Sequence, residues 1–388
     1  MPGWAGCGPD GTNHRGVLVD RRGILAAAVG LVASGLAVSG AWAGSREVEH
    51  RVHHPGRKVQ PHATSAPKGL TPDQVKAAYG FSTAPDAGAG RTIAIVAPYD
   101  HPNIESDLNA FSQKFGLPPC TTKNGCFTKV DHKGGKNWPA RNTLWSMEVA
   151  LDVEWAHAIA PGAKILLVEA KSDRLNDVLK AHDYATANAA YVSNSWGMQE
   201  FAEQSKHNFH FERPGVSIFF ASGDDGAHFG PSYPASAPNV VAVGGTTLTD
   251  IGQPTFAEKG WSGSGGGCSR YETAHPAQAA FAGYATTNCA GKRAAPDVSL
   301  LGDPRTGVSV YNSYKTTKPW TTLGGTSAAT PMWAGRAAAA GLVIDAATLY
   351  ATPSPIPFRD VTAGHNGLPA APGYDMVTGL GSWTGATP

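Results

Sequence analysis

The stretch Gly324-Gly325-Thr326-Ser327-Ala328-Ala329-Thr330-Pro331 places two glycines before a serine and a run of small residues. The glycines allow a sharp turn and a close approach to another part of the backbone. The small residues lead into Pro331-Met332-Trp333, which predicts a buried helix that presents Ser327 to a cleft at its N-terminus, where the helix dipole favours negative charge. The alternative is a Gly/Thr/Ser loop that caps an ordinary helix.

A serine hydroxyl is a poor nucleophile until a neighbouring base takes its proton, and that base is usually a histidine oriented by an acid. The sequence has no His-Gly-Thr-His helix start, and Val96-Ala97-Pro98-Tyr99-Asp100 follows the first strand in place of an Asp-Thr-Gly turn. His157 stands at the end of a predicted helix, where a packed or capping role is expected. We therefore expect the base of Ser327 to be a carboxylate.

Residues Thr143–His157 predict a helix that carries two acids four positions apart, Glu148 and Asp152. Four residues bring side chains onto one face, about 40° apart around the axis. Trp145 and Trp155 would accompany them on that face, and two carboxyls in apolar surroundings tend to share one proton. The alternative is a solvated acidic face on a surface helix.

A third acid follows another predicted strand, Val216–Phe220, in the turn Ala221-Ser222-Gly223-Asp224-Asp225-Gly226. A sharp turn at the carboxyl end of a strand can present an acid such as Asp224 to a cleft. The alternative is a turn stabilised by Asx capping.

Apolar strands alternate with helices along most of the chain, which predicts an α/β fold with a parallel sheet covered on both faces. In such a sheet the cleft lies at the carboxyl ends of the strands. Strands are predicted at residues 92–96, 164–168, 190–193, 216–220 and 240–243, and helices at 104–115, 143–157 and 175–187.

The N-terminal region has the pattern of a secretory signal peptide. Arg21-Arg22 precede an apolar run from Ile24 to Val38, and Ala41-Trp42-Ala43 follows as an A-x-A cleavage site. The protein is therefore expected to be secreted and extracellular, without stable membrane association after cleavage. A retained membrane anchor is the alternative.

The composition favours one large globular domain. The chain has 388 residues, 16% of them charged, and a net charge of +1, which argues against a nucleic-acid binder or a disordered tail. We divide it into the signal peptide (1–43), a polar and flexible leader (44–69) and one domain (70–388), which is expected to be a monomer.

Four cysteines remain after signal cleavage, an even number in an exported protein, which favours disulfides. Four cysteines allow three pairings, and we favour the two short loops, Cys120–Cys126 and Cys268–Cys289. A zinc site is the alternative, although there is no C-x-x-C and no nearby pair of histidines.

From Leu70 to Trp383 the chain resembles the sedolisins, or serine-carboxyl peptidases. The resemblance rests on Gly324–Ala328 with its later proline, on Glu148-Val149-Ala150-Leu151-Asp152, and on Ser222-Gly223-Asp224, three motifs in the family's order. It implies a subtilisin-like three-layer sandwich, in which helices flank a mostly parallel central sheet, and a secreted endopeptidase that hydrolyses proteins or peptides at acidic pH.

The resemblance also implies catalytic roles. Glu148 would take the proton from Ser327 and return it to the leaving amine, while Asp152 orients Glu148. A protonated Asp224 and the backbone N–H of Ser327 would donate hydrogen bonds to the oxyanion. A neutral acid in that position requires a raised pKa or an acidic medium, which predicts an acidic optimum.

Two further stretches resemble the family. Ser193-Asn194-Ser195-Trp196-Gly197 is similar to the strand edge that pairs with an extended substrate, so Ser195, Trp196 and Gly197 are the implied substrate-binding residues. Met198 follows where glycine is more usual, and is expected to shape that edge.

The second of these stretches implies one structural Ca²⁺ near the C-terminus, with six or more oxygen ligands. The alternative is a Gly/Pro-rich loop with two solvated acids. The implied ligands are the carboxylates of Asp360 and Asp375, the carbonyls of Val361, Ala371 and Gly373, and water.

Some features depart from the family. Members usually carry a large N-terminal pro-domain, for which there is no room between Ala43 and Leu70. The helix after Ser327 looks short, and Gly335-Arg336 interrupts its apolar pattern. These departures motivate a second hypothesis, a catalytically silent peptide-binding protein on the same fold. A histidine-triad protease lacks its motifs here, and a metalloprotease lacks His-Glu-x-x-His.

Overall fold

The computed structural model describes residues 49–54, 63–252 and 256–385 of the chain. The predicted signal peptide lies outside these residues. Among the described helices, none has the length and apolar character needed to cross a membrane.

A large, mostly parallel sheet forms the middle of the described chain. Ten strands are joined in the order β13-β14-β10-β6-β5-β4-β1-β3-β2, with β7 attached to β6. Within this described sheet, the pairs that involve β7 and β13 are antiparallel and the others are parallel. The strands are β1 (Thr92–Pro98), β2 (Phe127–Asp131), β3 (Lys164–Ala170), β4 (Tyr191–Asn194), β5 (Ser217–Ala221), β6 (Val241–Thr249), β7 (Ala257–Gly260), β8 (Gly267–Thr273), β9 (Lys292–Ala295), β10 (Val298–Leu301), β11 (Val308–Tyr311), β12 (Trp320–Leu323), β13 (Phe358–Arg359) and β14 (Ser382–Trp383).

Helices cover both faces of the sheet, because successive residues of a buried strand point to opposite sides. On β1, Ile93 and Ile95 pack into the hydrophobic cluster that contains α3 and α6, whereas Ala94 and Val96 pack into the cluster that contains α4. This confirms the predicted subtilisin-like α/β sandwich of three layers. The α-helices are α1 (Pro72–Tyr79), α2 (Ile104–Phe115), α3 (Thr143–Ile159), α4 (Leu175–Asn188), α5 (Pro276–Ala280), α6 (Thr326–Ala340) and α7 (Ala346–Leu349).

The predicted strands and helices all form, and none of their ends lies more than six residues from the expected position. Strand β2 and the strands after β6 are additional to the prediction. Strand β2 mixes exposed and buried positions, and β13 and β14 have only two residues each, so none of these three carries a clear apolar run.

Helix α6 has 15 residues, Thr326–Ala340, and continues through Gly335-Arg336, the pair that interrupts its apolar pattern. A Cβ at Gly335 would lie 3.1 Å from the carbonyl oxygen of Ala156, so this glycine lets α6 pack closely against α3. The guanidinium of Arg336 lies 4.4 Å from the ring centroid of Trp383, a cation–π contact that accommodates the charge. Gly335 and Arg336 thus interrupt the apolar pattern because each makes a specific packing contact, and α6, the helix that carries Ser327, is continuous.

Both favoured cysteine pairs form disulfides, Cys120–Cys126 and Cys268–Cys289. The two cysteines of the first pair are 6 positions apart in sequence, and those of the second pair are 21 apart. Within the described residues, the one cysteine-containing group with metal-ligand proximity is Cys120, Cys126 and His157. Its sulfur atoms are bonded to each other, so the zinc alternative is not supported.

Two parts of the leader, which was expected to be flexible, are bonded to the domain. Arg51 and His53 form bridges to Arg174 and Gly197, and Thr64 forms a bridge to Trp320. The polar composition misled the expectation, because backbone N–H and C=O groups can pair with an open strand edge whatever the side chains are.

Candidate active site

Ser327 lies in the first turn of α6, fully buried at the end of the helix that faces α3. Gly325 occupies the N-cap with a φ of +104°, a conformation that a residue with a side chain rarely adopts. The chain can therefore enter the helix abruptly and place the serine in its first turn.

Pro331 changes the hydrogen bonding of this first turn. In a regular helix the carbonyl of Ser327 would accept the N–H of residue 331, which proline lacks. The hydroxyl oxygen of Ser195 lies 3.3 Å from that carbonyl oxygen. The same hydroxyl lies 2.6 Å from Oδ1 of Asp152. Ser195 thus connects α6, the helix that carries Ser327, to one of the acids.

Glu148 and Asp152 are buried, with relative exposures of 3% and 0%. The alternative of a solvated acidic face is therefore wrong: every residue of α3 from Glu148 to Ile159 is buried. Burial, followed by the charge of Asp152, raises the pKa of Glu148 well above its ordinary value. Burial likewise raises the pKa of Asp152, and the hydrogen bond with Ser195 offsets part of this. Two carboxyls in such surroundings disfavour both being ionised at once.

Asp224 reaches the same place from the turn after β5. Its Oδ1 accepts hydrogen bonds from the backbone N–H of Thr326, at 2.8 Å, and from the hydroxyl of Thr326, at 2.9 Å. The carboxyl is 4% exposed. Asp224 thus contacts the N-terminus of α6, one residue before Ser327.

The Ser327 hydroxyl lies beside Glu148. Among the groups around this carboxyl, the hydroxyl lowers its pKa and the charge of Asp224 raises it, both less than burial and Asp152 do. Within the described residues, neither Ser327 Oγ nor Glu148 Oε1 has a partner in full hydrogen-bond geometry. Catalytic hydrogen bonds are often loose before substrate binds.

No described histidine hydrogen-bonds to Ser327 Oγ. His157 is buried and its Nε2 lies 2.9 Å from the carbonyl oxygen of Pro118, which confirms the packed role. His54 lies near the acids instead, with Nδ1 3.6 Å from Oε2 of Glu148. The immediate neighbour of the serine is therefore a carboxyl and not an imidazole.

The three residues of the expected substrate edge differ in their surroundings. The backbone of Gly197 forms an antiparallel bridge with His53, so an extended segment does pair with this edge. Trp196 is fully buried and packs edge-on against Phe220, and Ser195 points to Asp152. Gly197 thus provides the edge itself, whereas the other two side chains support it from inside.

Met198, which follows, is 8% exposed and pairs with Tyr233 through two backbone hydrogen bonds of 2.9 Å each. It belongs to the hydrophobic cluster on the α4 side of the sheet. The side chain therefore packs in the core, and it does not reach into the cleft.

Asp360 and Asp375 converge on one loop near the C-terminus. A carboxylate oxygen of Asp360 accepts the N–H of Gly373 at 2.8 Å, and one of Asp375 accepts the N–H of Ala371 at 3.0 Å. Asp375 is 6% exposed, and burial raises its pKa. Asp375 is therefore not a solvated acid, whereas Asp360 is exposed, and carboxylate and carbonyl oxygens are the kind of ligand that suits a hard cation. Val361, whose carbonyl is the fifth implied ligand, accepts a long bond of 3.5 Å from Thr378.

The profile of the subtilase family matches residues 142–351, which is more than half of the chain. Kumamolisin from Bacillus sp. (strain MN-32) is 31% identical over 360 residues, which cover 82% of this chain and 63% of that protein. The chain belongs to the sedolisin branch of the subtilase family. Sedolisin from Pseudomonas sp. (strain 101) is 28% identical, over 82% of this chain and 60% of that protein.

A solved structure supports the same assignment. Pseudomonas sedolisin, a serine-carboxyl proteinase complexed with two molecules of pseudo-iodotyrostatin, superposes with a TM-score of 0.69 and 26% identity. The match covers 82% of this chain and 96% of that one. This sedolisin-branch chain spans 49–63% of the length of the first curated relatives that it matches.

Two features of the site are missed by sequence reasoning. The side chain of Ser195 was assigned to substrate, but it bonds to Asp152, and nothing in a five-residue motif shows where a hydroxyl points. His53 and His54 were placed in a flexible leader. The available signal was a short run, Arg51-Val52-His53-His54, with an apolar residue between polar ones.

Proposed function

We propose that the protein is a secreted endopeptidase of the serine-carboxyl type, with Ser327 as nucleophile. The observation that carries the proposal is the meeting of three buried acids at the N-terminus of α6, with the Ser327 hydroxyl beside Glu148. The family assignment supports peptide bonds as the substrate class.

In the proposed reaction, Glu148 removes the proton of Ser327 Oγ as the oxygen attacks the carbonyl carbon of the scissile bond. The same carboxyl then gives this proton to the leaving amine, which departs with its new N–H bond. Water repeats the sequence on the acyl-enzyme and restores the free hydroxyl. Asp152, which is held by its hydrogen bond with Ser195, orients Glu148. The charge of Asp152 also raises the pKa of Glu148.

The negative charge that forms on the carbonyl oxygen is stabilised at the start of α6. The N-terminal N–H groups of a helix lack partners within the helix, and their dipole favours an anion. Asp224, held against Thr326, adds a hydrogen bond when it carries a proton. This donor is lost when the carboxyl ionises, so the mechanism requires acid.

The rate is therefore expected to pass through a maximum at acidic pH. It increases as Glu148 and Asp152 lose the first of their protons, because the base must be free. It decreases when the shared proton or that of Asp224 is lost. Two opposing titrations give a bell-shaped profile.

A calcium ion would be held by the carboxylates of Asp360 and Asp375 and by the carbonyls of Val361, Ala371 and Gly373, with water. The convergence of both carboxylates on residues 371–375 supports this ligand set. Calcium would neutralise the two acids and stabilise the C-terminal loop, and it takes no part in peptide hydrolysis.

Comparison of Ser327→Ala with the unchanged chain on denatured casein at pH 4 tests the proposal. Loss of the nucleophile is expected to reduce hydrolysis by about 1,000-fold or more, with an unchanged melting temperature. Ser82→Ala, which changes an exposed serine, is the matched control. Equal turnover by Ser327→Ala contradicts the proposal. No turnover by any form favours a catalytically silent peptide-binding protein on the same fold.

The products decide the type of cleavage, because several relatives are tripeptidyl-peptidases. Mass spectrometry of digested casein is expected to show fragments of varied length from internal cleavage. A uniform series of tripeptides would contradict the endopeptidase proposal. Secretion is tested by N-terminal sequencing of exported protein, which is expected to begin at Gly44.

A further inference from the structure

The disulfide Cys120–Cys126 lies against a buried histidine. The two sulfur atoms and a ring nitrogen of His157 lie within 4.8 Å of one another. Cys120 and His157 are both 0% exposed, whereas Cys126 is half-buried. A reductant can therefore reach the bridge from the side of Cys126. None of the three residues takes part in the proposed peptidase reaction.

The hydrogen bond of His157 fixes the tautomer of its ring. Nε2 lies 2.9 Å from the carbonyl oxygen of Pro118. A carbonyl oxygen only accepts hydrogen bonds, so the neutral ring carries its proton on Nε2 and an unshared electron pair on Nδ1. Within the described residues, Nδ1 is buried and has no hydrogen-bond partner. A metal-binding histidine usually has this arrangement, in which one ring nitrogen donates to a carbonyl and the other is free to bind the ion.

The loop between the two cysteines is held by hydrogen bonds that do not involve sulfur. Oδ1 of Asn124 accepts the N–H groups of Thr121, at 3.1 Å, and Cys126, at 3.0 Å. Nδ2 of Asn124 donates to the carbonyl of Pro119 at 2.7 Å, and the N–H of Phe127 donates to the carbonyl of Thr121 at 3.1 Å. These bonds remain when the disulfide opens, so the two thiols stay close together.

We propose that the reduced chain binds a thiophilic divalent cation such as Zn²⁺ at Cys120, Cys126 and His157. The ligands are two thiolates and Nδ1, and water at the half-buried side of Cys126 completes a tetrahedral set. Bonds of about 2.3 Å to sulfur and about 2.0 Å to nitrogen place the ligand atoms about 3.5–3.8 Å apart, which fits within the distance that encloses them here. The oxidised chain has no thiolates, so the metal and the disulfide exclude each other.

The two states interconvert with a thiol reductant. Two molecules of R–SH reduce the disulfide to two cysteine thiols and leave as R–S–S–R. Zn²⁺ then displaces the two thiol protons and forms two Zn–S bonds. In the reverse direction R–S–S–R oxidises the two thiolates, the Cys120–Cys126 bond forms, and Zn²⁺ is released together with two thiolates R–S⁻. An exported chain is made where thiols stay reduced, and there the metal holds the ends of the loop together until the disulfide forms.

Titration of the full chain with Co²⁺, a spectroscopic substitute for Zn²⁺, tests the proposal. The chain is reduced by excess dithiol, which is then removed without air. Co²⁺ is expected to give the near-ultraviolet thiolate-to-cobalt absorption and the visible bands of a tetrahedral ion, which saturate at one Co²⁺ per chain and disappear with Zn²⁺. The chain with intact disulfides should show neither, and a carboxylate site gives no thiolate absorption. Absence of this absorption in the reduced chain overturns the proposal.

Two double variants distinguish the cysteine pairs. Cys268→Ser/Cys289→Ser should keep the absorption, whereas Cys120→Ser/Cys126→Ser should lose it, because a serine hydroxyl is a poor ligand for a thiophilic ion. In the reduced unchanged chain, Zn²⁺ is expected to slow the alkylation of Cys120 and Cys126, as measured by mass spectrometry, and to leave the rates at the other two cysteines unchanged. Absorption that persists without the first pair, or protection of the second pair instead, overturns the proposal.

His157→Gln tests the third ligand. Its amide can still donate to the carbonyl of Pro118 but is a poor ligand, so the variant should bind Co²⁺ more weakly by at least about 10- to 100-fold. His182→Gln changes an equally buried histidine on α4 and should bind like the unchanged chain. Equal affinity in His157→Gln and the unchanged chain would contradict the assignment of the imidazole. These measurements do not use peptidase activity, so their outcome is independent of the proposed function.

Discussion

At the scale of single residues, Ser195 links the parts of the site. Its hydroxyl has one proton and two neighbours, Oδ1 of Asp152 and the carbonyl of Ser327. The hydroxyl donates to Oδ1 of Asp152 at 2.6 Å, and its oxygen also lies 3.3 Å from the carbonyl that Pro331 leaves without a helical partner. These contacts fix Asp152 relative to the backbone of Ser327.

We predict that Ser195→Ala lowers kcat by about 10- to 100-fold with little change in KM, because it acts on position and not on binding. The hydrogen bond with Ser195 lowers the pKa of Asp152, so its loss raises that pKa and moves the ascending limb of the pH–rate profile to higher pH. Measuring kcat and KM from about pH 2 to 9 checks both effects.

Ser193→Ala is the matched control for this prediction. Ser193 is equally buried two residues earlier, and its Oγ has no hydrogen-bond partner among the described residues. It is expected to leave the profile unchanged. If Ser195→Ala alters KM alone, the direct substrate contact inferred from sequence is the better account.

At the scale of elements, the sequence predicted the helices α3 and α6 but not that they pack closely against each other. The spacing of Glu148 and Asp152 indicated one helical face, and the small residues after Ser327 indicated a buried helix. That Gly335 marks the close approach of the two helices depends on Ile159 and Ala156, which are distant in sequence. A glycine that interrupts an apolar pattern looks the same in the sequence whether the helix ends there or packs closely against another helix.

The leader shows the same limit. Its composition is polar, which predicts flexibility when no partner is known. The backbone edges at Asp173 and Gly197 that order Glu49–His54 are formed by segments that follow β3 and β4, far along the chain. Only the folded domain shows that these two edges lie close enough for one extended segment to hydrogen-bond to both.

The C-terminal loop yields a prediction on calcium. Ca²⁺ at about a hundredfold excess over its Kd should raise Tm by about 5 °C, because binding to the folded state alone contributes about 2.7 kcal/mol. Asp375→Asn should abolish this rise, and a chelator should then have no effect. Differential scanning calorimetry with and without Ca²⁺ makes the measurement.

Asp250→Asn, at an exposed turn, is the control and should retain the full response to Ca²⁺. An equal response in both variants would mean that the ion binds elsewhere.

At the scale of the whole molecule, buried titratable groups set opposite trends of stability with pH. Burial lowers the pKa of His101 to about 3 and those of His157 and His182 to about 4. These groups charge in the unfolded state at higher pH than in the folded state, so stability is lost as pH falls from about 6.5. Burial raises the pKa of Glu169 to about 8, so its contribution is lost as pH rises from about 4.5.

Glu154 isolates the second trend, because it lies outside the proposed catalytic groups. Burial raises its pKa well above the ordinary value, and its Oε2 accepts the N–H of Tyr311 at 3.0 Å. The folded state holds this proton at a pH where the unfolded state has lost it. The free energy of unfolding therefore decreases as pH rises above about 4.5, by about 1.4 kcal/mol for each pH unit over which the two states differ by one proton. Glu154→Gln should reduce the decrease in Tm between about pH 4.5 and 7.5, as measured by calorimetry.

Glu212→Gln, at an exposed position, should leave the decrease in Tm as it is. An unchanged slope in Glu154→Gln would show that the carboxyl is ionised in the folded protein at both pH values.

The fold as a whole was predictable because long apolar strands and amphipathic helices alternate, as in 92–98 followed by 104–115. The acids and the serine could be named, but the sequence left open a solvated face for Glu148 and Asp152. Burial decides between these alternatives, and burial follows from packing among segments that are about 180 residues apart in the chain, such as α3 and α6.

The central claim is that a carboxyl, and not an imidazole, activates Ser327. The most direct measurement is kcat/KM for peptide hydrolysis from about pH 2 to 9 by the unchanged chain and by Glu148→Gln. The account predicts a bell-shaped profile with an acidic maximum, and a loss of about 100-fold or more in the variant at every pH. A maximum at pH 8 or above, or a variant that retains activity within about fivefold, would contradict it.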